Sequence, residues 1–195
     1  MGIGLWIFLG VFAAVAVLLL LWLIAIYNKF VRLRVEADNG WAQVDVQLKR
    51  RYDLIPNLVE TVKGYASHEK DTLDAVISAR AKAVQTHDAS NTGAKEMGQA
   101  EGELTQALGR LMAVAEAYPD LKANTNFMAL QEELTSTENK IGFSRQHYND
   151  TVGRYEEFRM SFPSNIIAGV FNFNKRDYFV IENEAEKAAP TVSFS

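Results

Sequence analysis

The chain has 195 residues, 23% of them charged, a net charge of −4 and no cysteine. This length predicts one compact domain with appendages, and the mild acidity excludes the basic surface that a nucleic-acid-binding domain needs, so no nucleic-acid partner is expected. Without cysteine the chain can form no disulfide, no thiolate metal site and no cysteine nucleophile.

The first predicted element is a transmembrane helix over residues 2–27, which carry no charged side chain. At about 1.5 Å per residue, such a helix crosses the roughly 30 Å hydrocarbon core of a bilayer. A cleaved signal peptide would begin with basic residues and end at small ones, and this run does neither. We therefore expect residues 1–28 to stay in the protein as a single-pass anchor in the lipid bilayer.

The charges beside this anchor bear on its orientation. Lys29, Arg32 and Arg34 follow the apolar run directly, and no basic side chain precedes it. The positive-inside rule then predicts that the N-terminus lies outside and the C-terminal domain in the cytoplasm. Glu36 and Asp38 dilute this charge bias, so the reverse topology stays open.

A second pattern begins near Trp41, where apolar residues recur every three or four positions, as in a helix with one buried face. We expect a bend at Asn39–Gly40 and a kink or short break at Pro56, which lacks the backbone N–H of other residues. The predicted buried stripe comprises Trp41, Val44, Leu48, Tyr52, Ile55, Val59, Val62 and Ala66.

Three more amphipathic helices are predicted. The second helix begins at a Ser67 cap and ends near His87, the third covers residues 94–118, and the fourth runs from about 124 to 162. Short turns join them, which favours antiparallel packing. The predicted fold is all-α: a single N-terminal transmembrane helix followed by an antiparallel four-helix bundle of long helices over residues 29–163.

The C-terminal region changes character after Pro163. Residues 164–183 are apolar and aromatic around a charged turn, and we expect them to pack on the bundle or to meet a partner or the membrane surface. Residues 184–195 are predicted to form a flexible tail. The candidate contact residues of the apolar segment are Ile166, Ile167, Val170, Phe171, Phe173, Tyr178 and Phe179.

The third helix carries small residues on the side opposite its leucines. Each glycine costs on the order of 1 kcal/mol relative to alanine within a helix, so a solvated face has little reason to hold several. Either these residues are tolerated at the surface, or a helix of this chain or of a second subunit approaches closely there. The residues of this candidate helix-packing or subunit interface are Gly98, Gly102, Thr105 and Gly109.

Four charged side chains border the predicted core, namely Asp45 and Arg51 on the first helix and Glu138 and Arg145 on the last. A half-desolvated charge needs a partner. We interpret the four as a cross-helix ionic network that fixes helix register, since desolvation offsets most of the Coulomb gain of such pairs. A hydrolase built on Asp45, Glu138 and Arg145 is the alternative.

No motif in the sequence specifies a reaction. His68, His87 and His147 are far apart and are expected at the surface. Metal-binding, phosphate-binding and nucleophile-elbow motifs are absent from the sequence. We therefore predict no catalytic residue, no cofactor, no metal ion and no enzymatic activity.

Several long motifs resemble those of one family. WAQVDVQLKRRYDLIPNLVETVKGYASHE at 41–69 is followed by YPDLKAN at 118–124, TENKI at 137–141, YN at 148–149 and FPSN at 162–165. Over nearly the whole chain these motifs are similar to those of the LemA family of bacterial membrane proteins. The resemblance implies an N-terminal helix in the bacterial inner (cytoplasmic) membrane, a mainly helical domain and no established enzymatic activity.

The same resemblance implies structural or interaction roles for the polar motif residues. These are Asp45, Arg50, Arg51, Asp53, Asn57, Glu138, Asn139, Arg145 and Asn149. LemA-like proteins are often encoded near a membrane heat-shock metalloprotease, which makes such a protease, or another envelope protein, a candidate partner.

The leading hypothesis is a membrane-anchored, non-enzymatic scaffold or interaction protein of the bacterial cell envelope that self-associates as a homo-oligomer. The alternative is an accessory or substrate-presenting subunit of a membrane protease in envelope quality control. Affinity capture and oligomer measurements distinguish the two hypotheses.

Overall fold

The computed structural model describes residues 2–89 and 93–181. These ranges contain helices and no strand, which confirms the predicted all-α class, whereas the antiparallel four-helix bundle stays a prediction. The predicted tail at 184–195 lies outside the described residues. The helices are α1 (Ile3–Lys63), α2 (Lys70–Asp88), α3 (Ala94–Glu116), α4 (Pro119–Lys122), α5 (Thr125–Met160) and α6 (Ser164–Val170).

The chain divides into two compact units. The anchor unit combines Met1–Gly40 with Asp150–Arg176, and the main unit combines Trp41–Asn149 with Asp177–Ser195. Helices α1 and α5 contribute residues to both units. Each unit buries apolar side chains of its own.

Helix α1 continues without interruption through both Asn39–Gly40 and Pro56, so of the predicted kink or short break at Pro56 the break is absent. Proline has no N–H to offer the carbonyl four residues earlier, which here belongs to Tyr52. Arg80 of α2 supplies the missing donor, because its Nε atom lies 2.7 Å from the Tyr52 carbonyl oxygen. A side chain thus completes the hydrogen bonding of the helix at its proline.

The N-terminal part of α1 is long and apolar enough to cross a membrane, and among the described residues no other helix is. Its most apolar stretch has a mean hydropathy of 3.0, and none of that stretch is buried against the protein. Buried positions begin only at Ile26 and Phe30. A surface this apolar needs a non-aqueous neighbour, and a bilayer provides one.

The core of the anchor unit lies where α1 leaves its apolar stretch. Phe30 stacks on Phe173, with ring centroids 4.5 Å apart and 13° between the ring planes. Through this core, α6 and the residues after it pack against α1 and α5. The core cluster comprises Ile26, Phe30, Tyr155, Ile167, Ala168 and Phe173.

The main unit buries the apolar stripes of its helices, and α2 packs along α3. Every residue of the stripe predicted between Trp41 and Ala66 is buried, apart from half-buried Trp41. The largest fully buried apolar side chains of this unit are Leu48, Ile55, Leu58, Leu104, Leu111, Leu121, Phe127, Ile141 and Phe179.

The starts of two helices show how local hydrogen bonds set their bounds. Helix α5 begins at Thr125 because the Asn124 Oδ1 atom accepts the Phe127 N–H at 3.0 Å and so caps the first turn. Helix α2 begins only at Lys70, so the predicted Ser67 cap is wrong. The Glu69 N–H instead bonds to the carbonyl of buried Ala66 at 3.1 Å, in a turn that precedes the helix.

Candidate functional site

Arg51 is the centre of a buried ionic cluster in the main unit. Its side chain is fully buried, and its guanidinium donates from Nη1 to Glu101 Oε2 at 2.9 Å and from Nη2 to Thr105 Oγ1 at 2.8 Å. Its Nε atom lies 2.8 Å from Glu138 Oε1, an ion-pair distance without the alignment of a hydrogen bond. With Tyr52, which donates to the other oxygen of Glu101, these residues form the Arg51 cluster.

Helical spacing brings the Arg51 cluster together. Glu101 and Thr105 stand four residues apart on α3, so both face the same side. Arg51 extends from the edge of the buried stripe of α1, and Glu138 from α5. One guanidinium, whose planar fork serves several acceptors at once, therefore links three helices.

Burial controls protonation in the cluster. Burial raises the pKa of Glu101, although the Arg51 charge opposes this. Burial and then the Glu101 charge raise the pKa of Tyr52, so the phenol stays protonated and remains a donor. Because Arg51 is sealed from solvent, a substrate cannot reach its guanidinium in the folded chain. The arrangement suits a structural role.

The predicted network is present only in part. Arg51 pairs with Glu138, but half-buried Arg145 forms no ion pair within the described part of the chain. Glu101 was not predicted as a member. Its spacing, three residues before Leu104 and seven before Leu108 on α3, was the available signal, because a carboxylate beside a buried apolar stripe needs a cation to neutralise it.

Asp45 belongs to a separate group. Its carboxylate pairs with Lys49 Nζ at 2.9 Å and with His87 Nε2. Burial acts to raise the pKa of Asp45, but the hydrogen bonds and charges of Lys49 and His87 outweigh it and lower the pKa. The His87 side chain is only 9% exposed, so the prediction of a surface position is wrong for this histidine. Its ring lies edge-on to that of Tyr52, with centroids 5.8 Å apart.

The small-residue face of α3 is mostly covered by the chain itself. Gly98 and Gly102 are buried, and Thr105 binds Arg51. A Cβ atom built on Gly98 would lie 2.0 Å from the carbonyl oxygen of Val180, so a segment of the same chain without regular secondary structure approaches there instead of a helix. Gly109 is exposed, and a Cβ atom at this position would have nothing within 4 Å.

The Asn149 side chain binds the backbone of the segment that contains Val180. Its Oδ1 atom accepts the Phe179 N–H at 2.9 Å, and its Nδ2 atom donates to the Phe179 carbonyl at 3.0 Å. The neighbouring Tyr148 hydroxyl donates to the Asp177 carbonyl at 3.0 Å. The Phe179 side chain is fully buried, with its ring centroid 5.5 Å from that of Trp41. The YN motif therefore has a structural explanation.

In the anchor unit, α5 binds backbone groups in a similar way. The Tyr155 hydroxyl donates to the Asn174 carbonyl at 2.8 Å, and Glu156 Oε1 accepts the Arg176 N–H at 2.8 Å. The Arg176 guanidinium also donates to Asp38 Oδ1 at 2.6 Å. Side chains of α5 thus form hydrogen bonds with backbone groups of a segment that has no regular secondary structure.

The predicted contact residues of the apolar C-terminal segment divide into two sets. The first set is buried within the chain and comprises Ile167, Phe173 and Phe179. The second set is exposed and comprises Ile166 (56%), Val170 (68%), Phe171 (54%) and Tyr178 (43%). Packing within the chain accounts for the first set, whereas the side chains of the second set stay largely exposed, although the Phe171 ring contacts that of Tyr27.

Among the described residues, no group of three or more His, Asp or Glu side chains is placed to hold a metal ion. The residues that the structure describes form an all-helical protein, and one of their helices could span a membrane. The model of the LemA family matches residues 40–194. The chain therefore belongs to the LemA family, as its motifs indicated.

Several curated relatives are similar over most of the chain. The chain is 26% identical to the magnetosome proteins MamQ 1 and MamQ 2 of Paramagnetospirillum magneticum, over 78% of this chain and 64% of theirs. It is 24% identical to protein LemA of Metamycoplasma hominis, over 72% of this chain and 63% of that protein. The chain thus spans less than two thirds of the length of these relatives.

Proposed function

We propose that the chain is a membrane-anchored, non-enzymatic scaffold or interaction protein of the bacterial cell envelope that self-associates. The observation that carries the non-enzymatic part of this proposal is the complete burial of Arg51, whose charge is used to join three helices. The apolar, uncovered stretch of α1 supplies the anchor. The names of the relatives, a magnetosome protein and protein LemA, specify no reaction.

Exposed apolar side chains in the main unit support self-association. Phe143 on α5 is 74% exposed, and Val46 and Ile77 are 58% and 50% exposed. Aromatic side chains are enriched at the cores of protein–protein interfaces, and Phe143 is the most exposed of these three. We propose that the surface around Phe143 takes part in contacts between copies of the chain.

The proposed location is the bacterial inner membrane, with the N-terminus outside and the main unit in the cytoplasm. Lys29, Arg32 and Arg34 after the apolar stretch support this orientation. C-terminal fusions test it: a green fluorescent protein fusion should fluoresce and an alkaline phosphatase fusion should be inactive. The opposite pair of results would reverse the proposed topology.

Self-association is tested on the full-length protein in nanodiscs and mild detergent, by mass photometry and by cross-linking in native membranes. We expect a population of oligomers that Phe143→Ser reduces. Gln146→Ser, an exposed polar substitution one turn further along α5, is the matched control. A strictly monomeric wild-type chain would contradict the proposal, and recovery of a membrane protease in place of further copies would favour the accessory-subunit role.

A further inference from the structure

Helix α6 has two apolar faces, and only one of them is covered. Ile167 and Ala168 belong to the core of the anchor unit. Ile166 and Val170, one turn apart on the other face, are 56% and 68% exposed, and Phe171 at the end of the helix is 54% exposed. The uncovered side chains therefore form a compact apolar surface, which we call the α6 foot (Ile166, Val170 and Phe171).

The α6 foot adjoins the point where α1 leaves its apolar stretch. Tyr27 ends the apolar stretch, and its ring centroid lies 5.1 Å from that of Phe171 and 5.6 Å from that of Phe173. Ile26, one position earlier, shares the core cluster with Ile167. The exposed surface of α6 is thus continuous with the exposed surface of the membrane-crossing stretch.

Helix length places this junction at the edge of the bilayer. From Ile3 to Tyr27 an α-helix rises about 36 Å, slightly more than the roughly 30 Å hydrocarbon core. Tyr27 therefore falls in the interfacial layer, which tyrosine rings prefer. Lys29 follows at once, and its ammonium lies 4.2 Å from the centroid of the Phe158 ring. Apolar side chains beside cationic ones match a headgroup layer that contains anionic lipids.

We propose that the α6 foot inserts into the boundary between the headgroups and the acyl chains of the bilayer, beside the anchor helix. A second protein is a poorer match, because three side chains cover far less than the roughly 800 Å² per partner that a stable protein interface buries. An interfacial helix needs only to sink its apolar face about 5–10 Å into the boundary. This inference rests on the membrane anchor and does not require self-association.

Because the chain contains no cysteine, single-cysteine variants of the full-length protein report on individual positions. Val170→Cys places an environment-sensitive NBD label on the α6 foot. Val35→Cys is the matched control, since Val35 is also an exposed valine of the anchor unit, at 49%. It stands eight residues beyond Tyr27, or about 12 Å further along α1. Leu20→Cys, within the apolar stretch, reports insertion of the anchor itself.

The labelled proteins are reconstituted into phosphatidylethanolamine–phosphatidylglycerol vesicles, with and without lipids that carry a nitroxide near the headgroup. We expect the Val170 label to show blue-shifted emission and several-fold stronger nitroxide quenching than the Val35 label. Ile166→Cys should reproduce the Val170 result, and helicity should be unchanged because both side chains are exposed.

Three results would overturn the inference. Equal quenching at Val170 and Val35 would show that the α6 foot has no preference for lipid. A blue shift at Val170 without nitroxide quenching, growing with protein density in the vesicle, would show that a second copy covers it. A label at Leu20 whose emission is not blue-shifted would show that the anchor does not insert, which would also remove the membrane part of the proposed function.

Discussion

The carbonyl oxygen of Val180 occupies the space that a side chain on Gly98 would need, since a Cβ atom built there would lie 2.0 Å from it. Gly98→Ala should therefore lower the free energy of unfolding by about 1–3 kcal/mol, the usual cost of overpacking. The gain in helix propensity from replacing glycine offsets only part of that cost. Urea unfolding of the full-length protein in detergent measures the change.

Gly109 provides the matched control on the same helix. It is exposed, and a Cβ atom there meets nothing within 4 Å. Gly109→Ala should raise stability by up to about 1 kcal/mol through helix propensity alone. If the two substitutions had the same effect, the close approach of Val180 would be of no energetic importance.

The second prediction concerns the proline within α1. Arg80→Met removes the donor to the Tyr52 carbonyl and should cost about 1.5–3 kcal/mol, the range for a hydrogen bond to a charged group. In a Pro56→Ala background the new backbone N–H can serve that carbonyl, so loss of Arg80 should cost less. A double-mutant cycle by urea unfolding gives the coupling between the two positions, and additive effects would show that Arg80 does not compensate for the proline.

The third prediction concerns the Arg51 cluster. Arg51→Met leaves Glu101 buried without its cation and should cost about 3–5 kcal/mol. Adding Glu101→Gln should restore part of the loss, because an amide has no charge to bury and still accepts the Tyr52 hydrogen bond. Glu132→Gln, at an exposed position of α5, is the control for a lost surface carboxylate. Purely additive effects of Arg51→Met and Glu101→Gln would argue against their direct pairing.

The stability effects predicted for the Arg51 cluster also depend on pH, in a direction set by the pKa of Glu101. Because the pKa of Glu101 is raised in the folded state, the folded chain holds that proton more tightly than the unfolded chain. Stability associated with Glu101 should therefore increase as the pH falls towards its ordinary pKa of 4.5. The loss of unfolding free energy caused by Arg51→Met should become smaller as the pH falls over this range. Unfolding curves recorded at successive pH values measure it.

The fourth prediction concerns Asp45, whose contribution to stability changes with pH in the opposite direction to that of Glu101. The folded-state pKa of Asp45 is lowered from its ordinary 3.8, so its contribution to stability is fully present above that pH and is lost as the pH falls through the lowered value. Asp45→Asn should cost roughly 0.2–1 kcal/mol at neutral pH, as for other partly exposed pairs. The difference from wild type should disappear in strongly acidic solution. Asp53→Asn, an exposed position of the same helix, should show no comparable loss at neutral pH.

Much of the helical outline follows from the sequence, because its causes are local. The uncharged run, the stripe from Trp41 to Ala66 and the prolines at 119 and 163 each act within a few residues. Their effects on helix position need no knowledge of distant contacts. The prediction of a Ser67 cap was wrong because local bonding there forms a turn. Ala66 is buried, and its carbonyl accepts the Glu69 N–H in a turn that precedes the helix.

The partners of the buried groups do not follow from the sequence, since they depend on how helices rotate against each other. Arg51 stands 50 residues from Glu101, and Arg80 stands 28 residues from the Tyr52 carbonyl that it binds. Periodicity showed that Arg51 needed a partner and offered Glu138, but it did not indicate Glu101. The approach of Val180 to Gly98 was still less visible, because the contacting atom is a backbone oxygen that every residue has.

The pairing of Asn149 with both backbone groups of Phe179 has a consequence for how the chain can vary. The Asn149 amide bonds only to the backbone N–H and carbonyl of residue 179 and not to its side chain. These two bonds alone would therefore accept any residue but proline at position 179. Selectivity comes from the buried Phe179 ring beside Trp41, while Tyr178 and Val180 on either side are exposed. The sequence of this segment is thus constrained chiefly at one position, Phe179, and its exposed neighbours are free to vary in side chain.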